Sequence, residues 1–250
     1  MAATTQYDYI ERLSADPLPD MHSSRDRSAA SSNADSAFSA SARQQIKRLG
    51  IDDHAIALLA TYLAELEKWN RAYNLTAIRD PAEMVTRHLL DSLAVLPHLP
   101  DRASDSAHAP LRLLDVGSGG GMPGILLAIV RPQWQVTVLD GNGKKARFLR
   151  HVVRALALSN VQVAESRVEA WIAPQLFDRI ISRAFAALAE FVQLSDHLLI
   201  EDGRWLAMKG KVASSELAEL PANRTVETIH ALEVPGLQEA RSLIVVRRHP

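Results

Sequence analysis

The chain is expected to fold as an α/β protein, a doubly wound parallel sheet carrying a small N-terminal helical cap. Three observations predict it. From Leu111 onward, short apolar runs alternate with helix-length amphipathic stretches, the signature of parallel strands joined by crossover helices. The first run ends in Asp115, breaks into Gly117, Gly119, Gly120 and Gly121, and resumes as Ile125-Leu-Leu-Ala-Ile-Val130, which reads as strand, tight loop, helix. Ahead of both lie two apolar stripes at helical spacing, the second opened and closed by proline.

Composition narrows the function classes. At 250 residues and 47% hydrophobic content, the chain holds one large domain, or one with an appendage. No run approaches the roughly 18 apolar residues that cross a bilayer, and the start lacks the basic and then apolar regions of a secretion signal, so no membrane partner and a cytoplasmic location are expected. The absence of cysteine excludes disulfides, thiolate zinc sites and cysteine nucleophiles. The nine histidines show no ligand spacing, so no metal is expected. A formal charge of -1 supplies no global basic field, and a nucleic-acid partner has to be met by a local patch.

Taken in order, residues 1–42 form a Ser/Ala-rich tail with little apolar periodicity, which cannot offset its ordering entropy and is expected to be disordered. Its Asp8, Glu11, Asp16 and Asp20 argue against a transit peptide. Residues 43–100 form the helical cap. Asp52 or Asp53 caps a helix whose Ile56, Leu59, Leu63, Leu66 and Trp69 share a face. Asp80-Pro81-Ala82-Glu83 supplies an N-cap, a proline at N1 and an acid at N3, and that helix is expected to run to about Leu96. The polar stretch from Asp101 to Pro110 reads as a loop.

Residues 111–250 form the sheet domain, with strands expected at 111–116, 135–139, 161–164, 178–182 and 203–208. Helices are expected at about 123–131, 144–157, 167–172 and 187–200. A further helix to Leu220 and two β-like runs, Thr225–Leu232 and Ser242–Arg248, complete the chain as an antiparallel hairpin on the sheet edge.

A glycine loop suits a bulky ligand lying on the main chain, because a backbone without Cβ atoms comes close and takes positive φ. The helix that follows aims its N-terminus into the same crevice. Gly119-Gly-Gly121-Met-Pro-Gly124 satisfies the dinucleotide fingerprint, with Asp140 near the expected spacing. Register favours another cofactor. The strand ends at Val116, so the loop begins at Gly117, and Asp115-x-Gly117-x-Gly119-x-Gly121 is the spacing of S-adenosylmethionine methyltransferases. There Asp140 would accept hydrogen bonds from the ribose hydroxyls; the plainer alternative for it is a turn acid before Gly141.

Several motifs then stand in one order: Trp69-Asn70, Asn74-Leu75-Thr76, Arg87-His88, Asp91-Ser92-Leu93, Asp115-Val-Gly-Ser-Gly119, Pro123-Gly124, Lys144-Lys-Ala-Arg-Phe-Leu149, Ser166-Arg-Val-Glu169, Ile181-Ser-Arg-Ala-Phe185 and Lys209-Gly210. From about Ile46 to the C-terminus the chain resembles the ribosomal RNA small-subunit methyltransferase G family, once called glucose-inhibited division protein B. The resemblance implies a class I, Rossmann-like methyltransferase fold, S-adenosyl-L-methionine as donor, and transfer to N7 of a guanine in the decoding-region loop of 16S ribosomal RNA, naked or within the small ribosomal subunit. A monomer is expected. By position the resemblance carries the family's cofactor contacts onto Gly117, Met122, Val168, Glu169 and Arg183; the plainer alternative for Val168 is a core residue of a short helix. Gly120 and Met122 depart from the residues common in the family; a methionine is flexible enough to fill the same contact, whereas Gly120 is expected to loosen the loop.

N7 of guanine already carries an exposed lone pair, so no general base is required and no catalytic residue is named. Arg183 follows the fourth strand, where a cation meets the cofactor carboxylate or a guanine carbonyl, and Phe185 is placed to stack on an extruded base. The plainer alternative for Arg183 is a strand-end arginine paired with an acid. Arg87, His88 and Lys209 are the expected RNA contacts, set against a packing histidine and a solvated turn. Lys144, Lys145, Arg147, Arg150, His151 and Arg154 form the most basic surface, along one helix.

Overall fold

A computed structural model describes residues 38–100, 109–183, 185 and 187–249. Ser39 opens α1 (Ala40–Arg48) by accepting from the Ala42 N–H at 3.2 Å. Phe38, Ala42 and Ile46, four residues apart, are all buried, and that stripe makes a helix where the tail was expected to continue to residue 42. Residues 1–37 of the expected tail lie outside the described residues, as do 101–108 of the expected loop.

Asp52 caps α2 (Asp53–Tyr73) by accepting from the Ala55 N–H at 2.7 Å, a contact of about 1 kcal/mol. Asn74 ends the helix in the left-handed region at φ 51°. Asp80 caps α3 (Pro81–Met84) in the same manner, from the Ala82 N–H at 2.8 Å. It runs without break into a π-helical stretch, Val85–Leu90, and α4 (Asp91–Leu93). The expected helix thus stops at Leu93, before a 3-10 turn around Pro97. The π register was not expected. It sends the Asp91 N–H to the Thr86 carbonyl, where an α register would send it to Arg87.

The sheet contains β1 (Arg112–Val116), β2 (Gln135–Asp140), β3 (Val161–Glu165), β4 (Phe177–Ser182), β5 (Leu199–Lys209), β6 (Arg224–Ala231) and β7 (Ser242–Arg248). Their order is β3-β2-β1-β4-β5-β7-β6. The first five in that row are parallel, with Leu114 opposite Thr137 on one side and Ile180 on the other. β7 runs antiparallel to both β5 and β6, the expected edge hairpin. Parallel strands bring the carboxyl ends of β1–β5 to one edge, and the order reverses between β1 and β4, where a crevice opens.

Helices α5 (Gly124–Val130) and α6 (Gly143–Ala155) cover one face, and α7 (Leu188–Ser195) the other, with the short α8 (Ser214–Ala218) following β5. All seven residues of α5 are buried, because the cap residues Ile56, Leu59, Leu66 and Leu93 join its side chains in one apolar cluster. Across the sheet, Phe191, Trp205 and Ile180 centre a second cluster. The helix expected at 167–172 reduces to a 3-10 turn, Val168–Ala170, since Trp171 is extended. β5 begins at Leu199 instead of 203 because Leu199 pairs with Phe177 before an irregularity in the register. Among the described residues, no helix is long and apolar enough to cross a membrane.

Candidate functional site

The crevice is built on a buried carboxylate. Asp115, at the inner end of β1, accepts at Oδ2 from the Ser118 hydroxyl at 2.6 Å and from the Gly124 N–H at 2.8 Å. Its Oδ1 is equally buried and has no hydrogen-bond partner among the described residues. Burial pushes this carboxyl up to about 6, against the pull of the two donors.

The loop between β1 and α5 follows from that anchor. Gly121 takes φ +93°, and a Cβ there would lie 2.5 Å from Ile125 Cγ1, so packing as well as conformation demands glycine. Gly119, at φ +60°, is different: a Cβ would meet nothing nearer than 3.9 Å. A Cβ there would make only ordinary van der Waals contact, with the Gly117 carbonyl oxygen and Lys145 Nζ. The Gly119 N–H donates to Asp140 Oδ2 at 2.9 Å, and the Asn142 N–H to Oδ1 at 2.8 Å. Asp140 therefore fastens the loop to the end of β2, and each oxygen keeps a lone pair for a further donor.

Gly120, expected to loosen the loop, instead has its carbonyl held by the Tyr62 hydroxyl at 2.6 Å. A side chain at Gly120 would meet Met122 Cε at 3.0 Å and Leu66 Cδ1 at 3.2 Å. Val168 is buried in the apolar cluster that includes Leu139, and Glu169 beside it is exposed. Both follow β3 at the same sheet edge as Gly117 and Asp140.

Arg183 leaves the end of β4 and turns under the cap. Its Nη1 donates to Asp91 Oδ2 at 3.0 Å and to the Arg87 carbonyl at 3.2 Å, and its Nη2 to Met122 Sδ at 3.4 Å. The acid partner weighed for Arg183 is thus present, and the guanidinium also touches the glycine loop. Arg183 further lines a cavity of about 380 Å³ together with Arg87, His88, Asp91, Lys209 and Arg241, a size within the range of small-ligand pockets, roughly 300–1,000 Å³.

The expected RNA contacts occupy this cavity in different ways. Arg87 is half-exposed and meets Glu239 at 2.9 Å. His88 is buried, with Nε2 2.8 Å from Thr76 Oγ1; Asn70 Oδ1 fixes that turn by accepting from the Thr76 N–H at 2.8 Å. Burial, followed by the Arg183 charge, pushes His88 down to about 4, so it is neutral near pH 7. Lys209, expected to meet phosphate, places Nζ 2.7 Å from Glu216 Oε1 and 3.0 Å from the Phe185 carbonyl. The Phe185 ring packs on Phe191, with centroids 5.4 Å apart. Along α6, Lys145, Arg150 and His151 face Asp140, Glu165 and Glu65, and Lys144, Arg147, Arg150 and Arg154 are its exposed cations. Among the described residues, no group of His, Asp and Glu is arranged to hold a metal ion.

Three members of the site escaped sequence reasoning. Asp91 stands in a quoted motif, four residues after Arg87, yet nothing in its spacing names its partners. Arg241, whose Nε donates to Asp91 Oδ1 at 3.1 Å, sits in an irregular connection with no periodic signal. Tyr62 is indistinguishable in sequence from the apolar stripe around it.

The family described as rRNA small subunit methyltransferase G (GidB) matches residues 55–245. The chain is 52% identical over 206 residues to the ribosomal RNA small subunit methyltransferase G of Pseudomonas paraeruginosa, covering 80% of this chain and 92% of the relative. It is 49% identical over 210 residues to that of Xanthomonas axonopodis pv. citri, covering 84% and 95%. In fold, it is similar to a crystal structure of a mutant of MtNAS in complex with S-adenosylmethionine, with a TM-score of 0.50 at 16% identity over 90% of both chains.

Proposed function

Because the chain belongs to the ribosomal RNA small-subunit methyltransferase G family, we propose that the glycine loop holds S-adenosylmethionine and that the Arg183 cavity receives the guanine to be methylated. The enzyme is an S-adenosylmethionine-dependent methyltransferase of 16S ribosomal RNA, acting on N7 of a guanine. One observation carries the assignment of the two subsites. Arg183 touches Met122 of the glycine loop and also lines the cavity, so a single side chain is the wall that donor and acceptor share.

The donor side fits the cofactor on its own chemistry. A buried carboxylate oxygen of Asp115 without a partner among the described residues suits an ammonium group, and the uncrowded Gly119, where a Cβ would meet nothing nearer than 3.9 Å, suits a ligand lying against the main chain. Asp140 accepts from hydroxyls, Val168 flanks the adenine, and Glu169 or its main chain reads the adenine edge. When bound, S-adenosylmethionine supplies an electrophilic methyl group on a sulfonium.

The acceptor side has little proton chemistry to perform. N7 would use an existing lone pair, so the role left to the residues here would be to orient the base toward the donor. His88, neutral near pH 7, offers a polar contact without adding charge beside a purine that becomes cationic. Arg87, with the exposed cations of α6, guides the phosphate backbone.

We take residues 38–100 as the cap, 111–250 as the methyltransferase domain, and one chain as the working unit. An RNA substrate of the ribosome makes the cytoplasm the place of action. The test is to incubate the enzyme with labelled S-adenosylmethionine and small subunits or naked RNA lacking the modification, and to map the product by mass spectrometry. Label at N7 of one guanine is expected; none in either RNA overturns the proposal. Arg183→Ala is expected to lower kcat/KM at least about tenfold, or roughly 1.4 kcal/mol, and a loss under about twofold removes Arg183 from the site.

A further inference from the structure

We infer that Asp91 is a positioning residue for methyl transfer, holding the Arg183 guanidinium between the donor loop and the base cavity. The inference rests on the role proposed for Arg183. Asp91 comes from the cap, not from the sheet edge that carries the donor-side residues, and it is only 3% exposed. Both oxygens are committed: Oδ2 accepts from Arg183 Nη1 at 3.0 Å and Oδ1 from Arg241 Nε at 3.1 Å. One carboxylate thus joins the helical cap, the end of β4 and the residue preceding β7.

The geometry around Arg183 is over-determined in a way a simple surface ion pair is not. A planar guanidinium with contacts on two nitrogens has a fixed orientation as well as a fixed position. Here one nitrogen is shared between Asp91 Oδ2 and the Arg87 carbonyl, while the other reaches Met122 Sδ. The Arg87 carbonyl is turned toward this use by the π register, which gives the Asp91 N–H to Thr86. A π-helical insertion in an otherwise α-helical segment is a common device at functional sites. In this chain it brings the Asp91 side chain and the Arg87 carbonyl to the same guanidinium nitrogen.

The carboxylate has a second consequence at the cavity. Arg183 faces a space in which a guanine turns cationic on methylation, and repulsion from its charge would oppose that change. The Asp91 carboxylate 3.0 Å from Arg183 Nη1 offsets that charge. Orientation and charge are lost together when the carboxylate is removed, and both act on the chemical step more than on RNA capture, which depends on phosphate contacts elsewhere.

A double-mutant cycle tests this against a merely structural role. Asp91→Asn keeps the size of the side chain and removes its charge. It is expected to lower kcat at least about tenfold while KM for small subunits changes less than about threefold. Added to Arg183→Gln, it is expected to lower kcat/KM by less than about twofold more, because the residue through which it acts is already gone. Losses that multiply, or a wild-type kcat in the single variant, overturn the inference. If Arg183→Gln is itself as active as the wild type, the failure lies with the role proposed for Arg183. Should the asparagine variant fail to fold, Asp91→Glu enters the same cycle: its carboxylate sits one methylene further out and displaces Arg183, so its loss must likewise vanish in the Arg183→Gln background.

Discussion

The Tyr62 hydroxyl donates to the Gly120 carbonyl at 2.6 Å, so a helix of the cap grips the glycine loop of the sheet domain at its middle. Burial pushes the phenol far above its usual range, which keeps it a proton donor at any working pH. Tyr62→Phe leaves a buried carbonyl without its donor, at a cost of about 1–3 kcal/mol. It is expected to lower Tm by several degrees and to weaken S-adenosylmethionine binding about threefold to tenfold. Thermal melting and calorimetric titration check both; an unchanged affinity means that the loop keeps its shape without the cap.

Asp115 makes stability depend on pH with an unusual sign. Its carboxyl lies at about 6 in the folded chain and near 4 in the unfolded chain. Between those values the folded state binds more protons, so the contribution of this group falls as pH rises through the window and is level above it. Asp115→Asn removes that decline. The variant is expected to be more stable than the wild type near pH 7, by a difference on the order of 2 kcal/mol, and to bind S-adenosylmethionine at least about tenfold more weakly. Urea unfolding at the two ends of the window, with cofactor titration near pH 7, measures the trade.

His88 acts in the opposite direction. Its folded value of about 4 lies below the ordinary 6.5, so the unfolded chain binds more protons between the two. Stability from this group is complete above 6.5 and is lost as pH falls toward 4. His88→Gln is expected to remove roughly 3 kcal/mol of that acid sensitivity. Denaturant midpoints across the window decide it: a variant as acid-sensitive as the wild type shows that His88 ionises freely in the folded chain.

Lys209 is held by Glu216 and by the Phe185 carbonyl, and Glu216 Oε1 also accepts from the Leu188 N–H at 3.0 Å. This small network ties the end of β5 to the start of α7. Lys209→Met is therefore expected to lower Tm while leaving the salt dependence of RNA binding intact. A phosphate contact would instead reduce the logarithmic salt slope by about 1. RNA affinity measured over a salt series separates the two roles.

Much of the donor site was legible because its requirements are local. Strand, loop and helix are contiguous from Arg112 to Val130, and positive φ or close packing leaves a mark in the sequence as glycine. Asp140 could be placed by spacing because parallel strands of similar length end at one edge. The helices at 167–172 and 187–200 were overdrawn for a related reason. Apolar content does not distinguish a helix end from a buried strand start, and Leu199 belongs to the strand because Phe177 is there to pair with it.

The acceptor site was decided by the tertiary structure. The sequence alone determined the fold class and the glycine loop, since backbone conformation and periodicity are properties of neighbouring residues, and the cofactor came with the resemblance of its motifs to a known family. The environment of each charge is set by residues far away in the chain. Arg183 meets an acid 92 positions earlier and Arg241 meets the same acid across 150, pairings that form only once the cap has docked on α5 through its apolar face. The packing of that face brings Asp91, Arg183 and Arg241 into hydrogen-bond reach, and burial there changes the protonation of His88.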